Sequence, residues 1–150
     1  MSVTFKTPVR VFKRNNPTND GTIAPDNTGA AIVSREKAVV GGTATTVVIP
    51  AGAIVRSVTA YVTTAAGTPG TPNVTIGAEV VGTLSDAAGI NAITFGTGAT
   101  AVGLLANVGT SDVTLSYTAG ASAVGYLSVA WTARNPDGTI TNVGEGYTNE

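Results

Sequence analysis

With 150 residues, 11% of them charged, and no histidine or cysteine, the chain is long enough for one domain but lacks the parts of most catalytic machinery. Ser-His-Asp and Cys-His nucleophile systems, disulfides and zinc sites built from His and Cys are all excluded. A net charge of −1 supplies no global field that would draw the chain to nucleic acid.

A typical soluble domain is about 25% charged, so here Thr, Ser, Asn and Gly must cover much of the surface. Such a surface suits protein–protein packing, because few ions need desolvating. Aromatics make up only 5% of the chain, which leaves Val, Ile, Leu and Ala to fill the core.

From the N-terminus, MSVTFKTPVRVFKRNN lacks the continuous apolar stretch of a signal peptide. No run of about 18 or more apolar residues follows anywhere. The expectation is a protein made in the cytoplasm that does not span a membrane. Residues 1–40 carry six of the eight bases and are expected to form a basic, turn-rich arm. Lys6, Arg10, Lys13 and Arg14 all precede the first acid, Asp20. They are the candidate partner-binding residues, with three readings: a nucleic-acid footprint, a solvated strand face, or a tether laid on the acidic surface of a neighbouring subunit. No aromatic stacking platform accompanies them, which weakens the first. Asn15–Gly21 and Ala24–Gly29 are dense in Pro, Asn, Asp and Gly and read as turns. Asp20 and Asp26 offer oxygen ligands for calcium, but they match no EF-hand and read as Asx-turns. Short strands are expected at Val3–Lys6, Val9–Lys13 and Ala31–Val40.

Residues 41–150 are expected to form the compact body, and from Thr43 the apolar pattern has period two. Ile54, Val58, Ala60 and Val62 fall on one face, interrupted by Arg56, while Val55, Ser57, Thr59, Tyr61 and Thr63 fall on the other. Val74, Ile76, Ala78 and Val80 alternate with Thr75, Gly77 and Glu79. Val113, Leu115 and Tyr117 form a third set, and Leu127, Val129 and Trp131 a fourth. One apolar side per strand is the mark of antiparallel sheets with one side buried. Turn residues separate the runs at Pro50–Gly52, Gly67–Gly70, Ser85–Gly89, Ala119–Gly120 and Asn135–Gly138. The fold class expected is all-β: an antiparallel β-sandwich or jelly-roll-like body with an extended N-terminal arm. Periodicity leaves Gly98–Asn107 open between a short helix and a buried strand.

Little chemistry is left to place. The acids are scattered, and no pair sits at a spacing that puts both on one strand face. Gly96-Thr97-Gly98-Ala99-Thr100-Ala101 matches the outline of a dinucleotide-binding turn, but no acid lies about 20 residues on and no βαβ alternation follows. It reads as a plain Gly-rich turn. Asn73-Val74-Thr75 is a formal glycosylation sequon at a strand start, discounted for want of a signal peptide. No catalytic, cofactor-binding or metal-ligating residue is assigned, no small-molecule ligand is expected, and the chain is not expected to be an enzyme.

Two stretches carry a resemblance. The first is Val47-Val48-Ile49-Pro50-Ala51-Gly52-Ala53-Ile54-Val55, with Ser57–Val62 and Val74–Gly77 after it. The second is Asp112–Thr118, Ala119-Gly120 and Gly125–Trp131, ending in Arg134-Asn135-Pro136-Asp137-Gly138. Their order, over roughly residues 43–138, resembles β-sandwich proteins of tailed-bacteriophage particles, most of all head decoration (cement) proteins. The resemblance implies a homo-oligomer, with a trimer favoured, on the outer capsid of the virion. Its partner would be the major capsid protein, with no nucleic acid or membrane involved, and its role to stabilise the shell through many modest contacts. The alternative is a carbohydrate- or receptor-binding module of a phage tail or head fibre, which needs an exposed aromatic platform.

Apart from any resemblance, Pro50 cannot donate to a ladder. The strand ending at Ile49 must therefore stop, and the Ile54 strand is free to join the opposite sheet. Trp131, on the apolar face, is expected in the core.

Overall fold

The structure, a computed structural model, describes residues 32–139. In chain order the elements are β1 (Ile32–Val40), β2 (Thr45–Ile49), β3 (Ile54–Thr64), β4 (Asn73–Ile76), β5 (Glu79–Thr83), β6 (Gly89–Ala92), β7 (Thr94–Phe95), α1 (Ala99–Ala106), β8 (Val113–Tyr117) and β9 (Val124–Thr132). The strands form two antiparallel sheets, ordered β1-β9-β3-β6 and β2-β8-β4-β5-β7. The protein is all-β in character, as its composition implies. Buried residues of both sheets join one hydrophobic cluster, with Trp131, Leu127 and Val129 from β9 meeting Val47, Ile49, Val74, Leu115 and Tyr117.

Of residues 1–40 the structure describes only the last nine. Ile32–Val40 is a strand of the sheet, paired along its whole length with β9 from Ile32↔Thr132 to Val40↔Val124. Residues 1–31 lie outside the described residues. β1 stands at the sheet edge, and its central residues Arg35, Glu36 and Lys37 put charge along that edge, a common device against edge-to-edge pairing.

The chain changes sheets where its sequence expects it to. β2 ends at Ile49, Pro50 closes it, and β3 starts in the other sheet. Gly52 makes the corner with φ +73, and its backbone packs against the Asn135 carbonyl, where a side chain has no room. β9 shows the cleanest alternation: Gly125, Leu127, Val129 and Trp131 are buried, while Val124 and Tyr126 are exposed.

Two local expectations need correction, and one left open is decided. In β3 the inward residues are Val55, Val58, Ala60 and Val62, so Val55 shares a face with Val58. Pairing with β9 shifts between Val55 and Ser57, leaving Arg56 as the extra residue of a β-bulge. The bulge resets the phase, which is why a simple period-two reading stumbles at Arg56. The exposed Arg56 Nε donates to Thr132 Oγ1 at 2.9 Å.

The run Val74–Val80 is two strands. Gly77 and Ala78 form a two-residue hairpin turn between the paired Ile76 and Glu79. Gly77 has φ +61 and Ala78 keeps a negative φ, the glycine-first pattern of a II′ turn. The turn reverses the alternation, so Val81 is buried and Val80 is 43% exposed.

Residues 99–106 resolve as helix. Ala and Leu favour helix over strand, and α1 packs on β5 of one sheet and β3 of the other. It buries Ala101 and packs Leu104 and Leu105 against the core.

Candidate interaction surface

The four bases singled out by sequence, Lys6, Arg10, Lys13 and Arg14, lie outside the described residues, as do Asp20 and Asp26. The described residues supply a different surface. On the solvent side of the β1-β9-β3-β6 sheet, the register sets Ala38 opposite Tyr126, Tyr126 opposite Tyr61, and Tyr61 opposite Ile90. One row of exposed side chains therefore crosses all four strands. Tyr126 is 55% exposed, Tyr61 42% and Ile90 74%. The next row toward the strand ends is Val40, Val124 and Thr64, also exposed. Neither row contains a charge. In the row on the other side, Glu36, Ser128, Thr59 and Ala92, one residue is charged.

The solvent side of an antiparallel sheet normally alternates polar against the buried face. Here directly opposed tyrosines and aliphatic neighbours make a contiguous apolar surface, a mark of an interaction site. The sequence signals half of this. Tyr61 falls in the outward set of β3, and Tyr126 shares the phase of Ser128. That the two stand side by side follows from the β3–β9 register, which no local pattern contains.

The end of the molecule beside this surface is held by a buried carboxylate. Asp86 is 2% exposed. Its Oδ1 accepts from the Gly70 N–H at 2.5 Å and its Oδ2 from the Gly120 N–H at 2.8 Å. The two oxygens thus join the β3–β4 loop to the β8–β9 loop. Around them, Gly67 donates to Ala121 O, Gly42 to Ala119 O and Gly41 to Ala123 O. The loops flanking Val40, Thr64 and Val124 are therefore cross-linked by backbone hydrogen bonds, with Ala66, Ala119 and Ala123 buried beneath them.

No protein-family model, curated protein or solved structure matches this chain.

Among the described residues no three acidic side chains gather to hold a metal, and no helix is long and apolar enough to cross a membrane. The Gly96–Ala101 turn does lead from a strand into a helix. However, β7 pairs with β5 while β8 lies between β2 and β4, so the flanking strands form no βαβ unit. Asn73 is exposed at the start of β4.

Tyr117 is the described group with the largest titration shift. Burial pushes its phenol up to about 12, and the Asp86 carboxylate adds to the effect. Its hydroxyl donates to Ser85 O at 3.4 Å. Because the folded value is raised, the folded chain keeps a proton that the unfolded chain releases near pH 10. This stability is complete below pH 10 and is lost as pH rises through 12, by an amount on the order of 2 kcal/mol. The urea midpoint should fall across that window, and Tyr117→Phe should flatten the fall. An unchanged slope in the variant would assign alkaline sensitivity to other groups.

Proposed function

We propose that the chain is a non-enzymatic structural protein of a phage particle, a decoration protein that binds the head shell. On this reading the two sheets form a jelly-roll-like sandwich body, and the basic segment ahead of Ile32 is its attachment arm. The observation that carries the reading is the uncharged, exposed Tyr126–Tyr61–Ile90 row with Val40 and Val124 beside it. Such a surface is suited to burial against protein, and a lightly charged chain loses little on desolvation. The phage-particle resemblance of residues 43–138 supports it, as does the basic run Lys6–Arg14. Several copies each making modest contacts would bind far more tightly than one.

Light scattering of the purified chain and co-sedimentation with expanded phage shells test the proposal. An oligomer, with a trimer expected, should bind shells. Arg10→Glu with Arg14→Glu should weaken that binding by about tenfold or more if the arm supplies one of several linked contacts. A monomer that fails to bind any shell would remove the decoration role.

The opposed pair Tyr61 and Tyr126 also favours a second reading, a carbohydrate- or receptor-binding module, because a flat aromatic pair can stack on sugar rings. Saturable quenching or enhancement of tyrosine fluorescence by host surface polysaccharide, abolished by Tyr61→Ala, would support that module over the shell protein.

A further inference from the structure

The exposed row needs an occupant, and its size restricts the choice. Four strands about 4.8 Å apart and two same-face rows bound an area of roughly 300 Å². A stable protein–protein interface takes about 800 Å² from each partner. The row is therefore small for a second copy of the body, but it matches one short extended segment.

We propose that residues 3–11 of the chain's own N-terminal segment dock across the Tyr126–Tyr61–Ile90 row of the sheet that begins with β1. Val3, Phe5, Val9 and Val11 occupy alternate positions, with Thr7 between them. Lys6, Pro8 and Arg10 occupy the other set. An extended segment of this pattern has one apolar side to lay on tyrosines and one basic side to leave outward. Pro8 removes a backbone donor in the middle, which argues for docking on the sheet face rather than for adding a strand at the β1 edge. The C-terminal residues 140–150 fit less well, because Ile140, Val143 and Tyr147 share no alternate set and Glu145 falls among them.

Reach and concentration favour the chain's own segment. Ile32 starts β1, and Ala38, in the row, is six residues along the same strand. At about 3.3 Å per residue the distance is about 20 Å. Residues 12–31 can extend to about 65 Å. A tethered segment acts at an effective concentration in the millimolar range, well above that of a second copy in a dilute solution. Docked in this way, the segment would cover the tyrosines and hold Lys6 and Arg10 facing outward. The inference concerns the isolated chain and does not rest on the phage-shell reading, under which shell protein would displace the segment from the row.

The chain has no cysteine, which permits a direct test with full-length variants. Val9→Cys is combined with Tyr126→Cys and, as a control, with Val48→Cys, which is 43% exposed on the other sheet. Under mild oxidation at low micromolar concentration, the Tyr126 pair should form a monomer-mass disulfide at least about tenfold faster than the control, the factor expected of a held rather than a wandering tether. Equal rates would overturn the proposal, and a dimer-mass product from the Tyr126 pair would assign the row to a second copy. In a cysteine-free background, Phe5→Asp with Val9→Asp should raise nitration of Tyr61 and Tyr126 several-fold by mass spectrometry. Unchanged nitration would also overturn it, without depending on how the cysteine variants fold.

Discussion

Trp131→Ala is expected to destabilise the fold by about 3–5 kcal/mol, the range for truncating a large buried aromatic. Trp131 is fully buried, in the inward set of β9, with Val33 and Val55 as its ladder partners on either side. In a chain with one tryptophan and three phenylalanines, it is the largest fully buried side chain, so few neighbours can expand into the space it leaves. Its indole Nε1 has no hydrogen-bond partner among the described residues. An unpaired buried donor carries a penalty of about 1–3 kcal/mol. Trp131→Phe removes that donor while keeping a ring, so it should cost less than half of what alanine costs. Urea denaturation followed by far-ultraviolet circular dichroism would show both values. If phenylalanine and alanine are equally damaging, the Nε1 group is satisfied and the ranking is wrong.

Asp86→Ala should produce a loss of similar size by a different route. A hydrogen bond to a charged group contributes about 1.5–3 kcal/mol, and Asp86 accepts two, from Gly70 and Gly120. Alanine leaves both amides without their acceptor, so a loss of about 3–5 kcal/mol is expected. The change would also be local. Amide exchange should accelerate around residues 66–70 and 119–123 ahead of the β9 core. Tyr117 should still titrate high in this variant, because burial is the larger cause of its shift and the Asp86 charge the smaller. Uniform acceleration across the chain would instead mean that the two loops are not a separate unit of stability.

These two residues differ in how visible they are before folding is known. Trp131 stands in an alternating run, and alternation alone places it inward. Asp86 sits among turn residues, Ser85-Asp86-Ala87-Ala88-Gly89, and looks like an ordinary surface turn former. Its role depends on Gly70 and Gly120, distant in sequence, arriving on either side of it. The same division runs through the fold. Val113–Tyr117 and Leu127–Trp131 alternate as strands of the two sheets. Arg56 and Gly77 each shift the phase by a bulge or a turn, and local alternation cannot register a shift that the partner strand imposes.

Composition alone determined that this chain would be rich in β-structure and that histidine- or cysteine-based mechanisms are closed to it. Side-chain direction in a strand alternates whatever the fold, so inward and outward residues could largely be read from order along the chain. Only the tertiary structure decided which outward residues stand together. Tyr61 and Tyr126 are 65 positions apart, and Ile90 lies between them in sequence yet beyond Tyr61 in space. Their adjacency comes from β9 pairing with β3, and β3 with β6, a register set by the buried faces of the same strands. The exposed surface is thus a consequence of how the core packs, and a one-residue slip would replace every member of it.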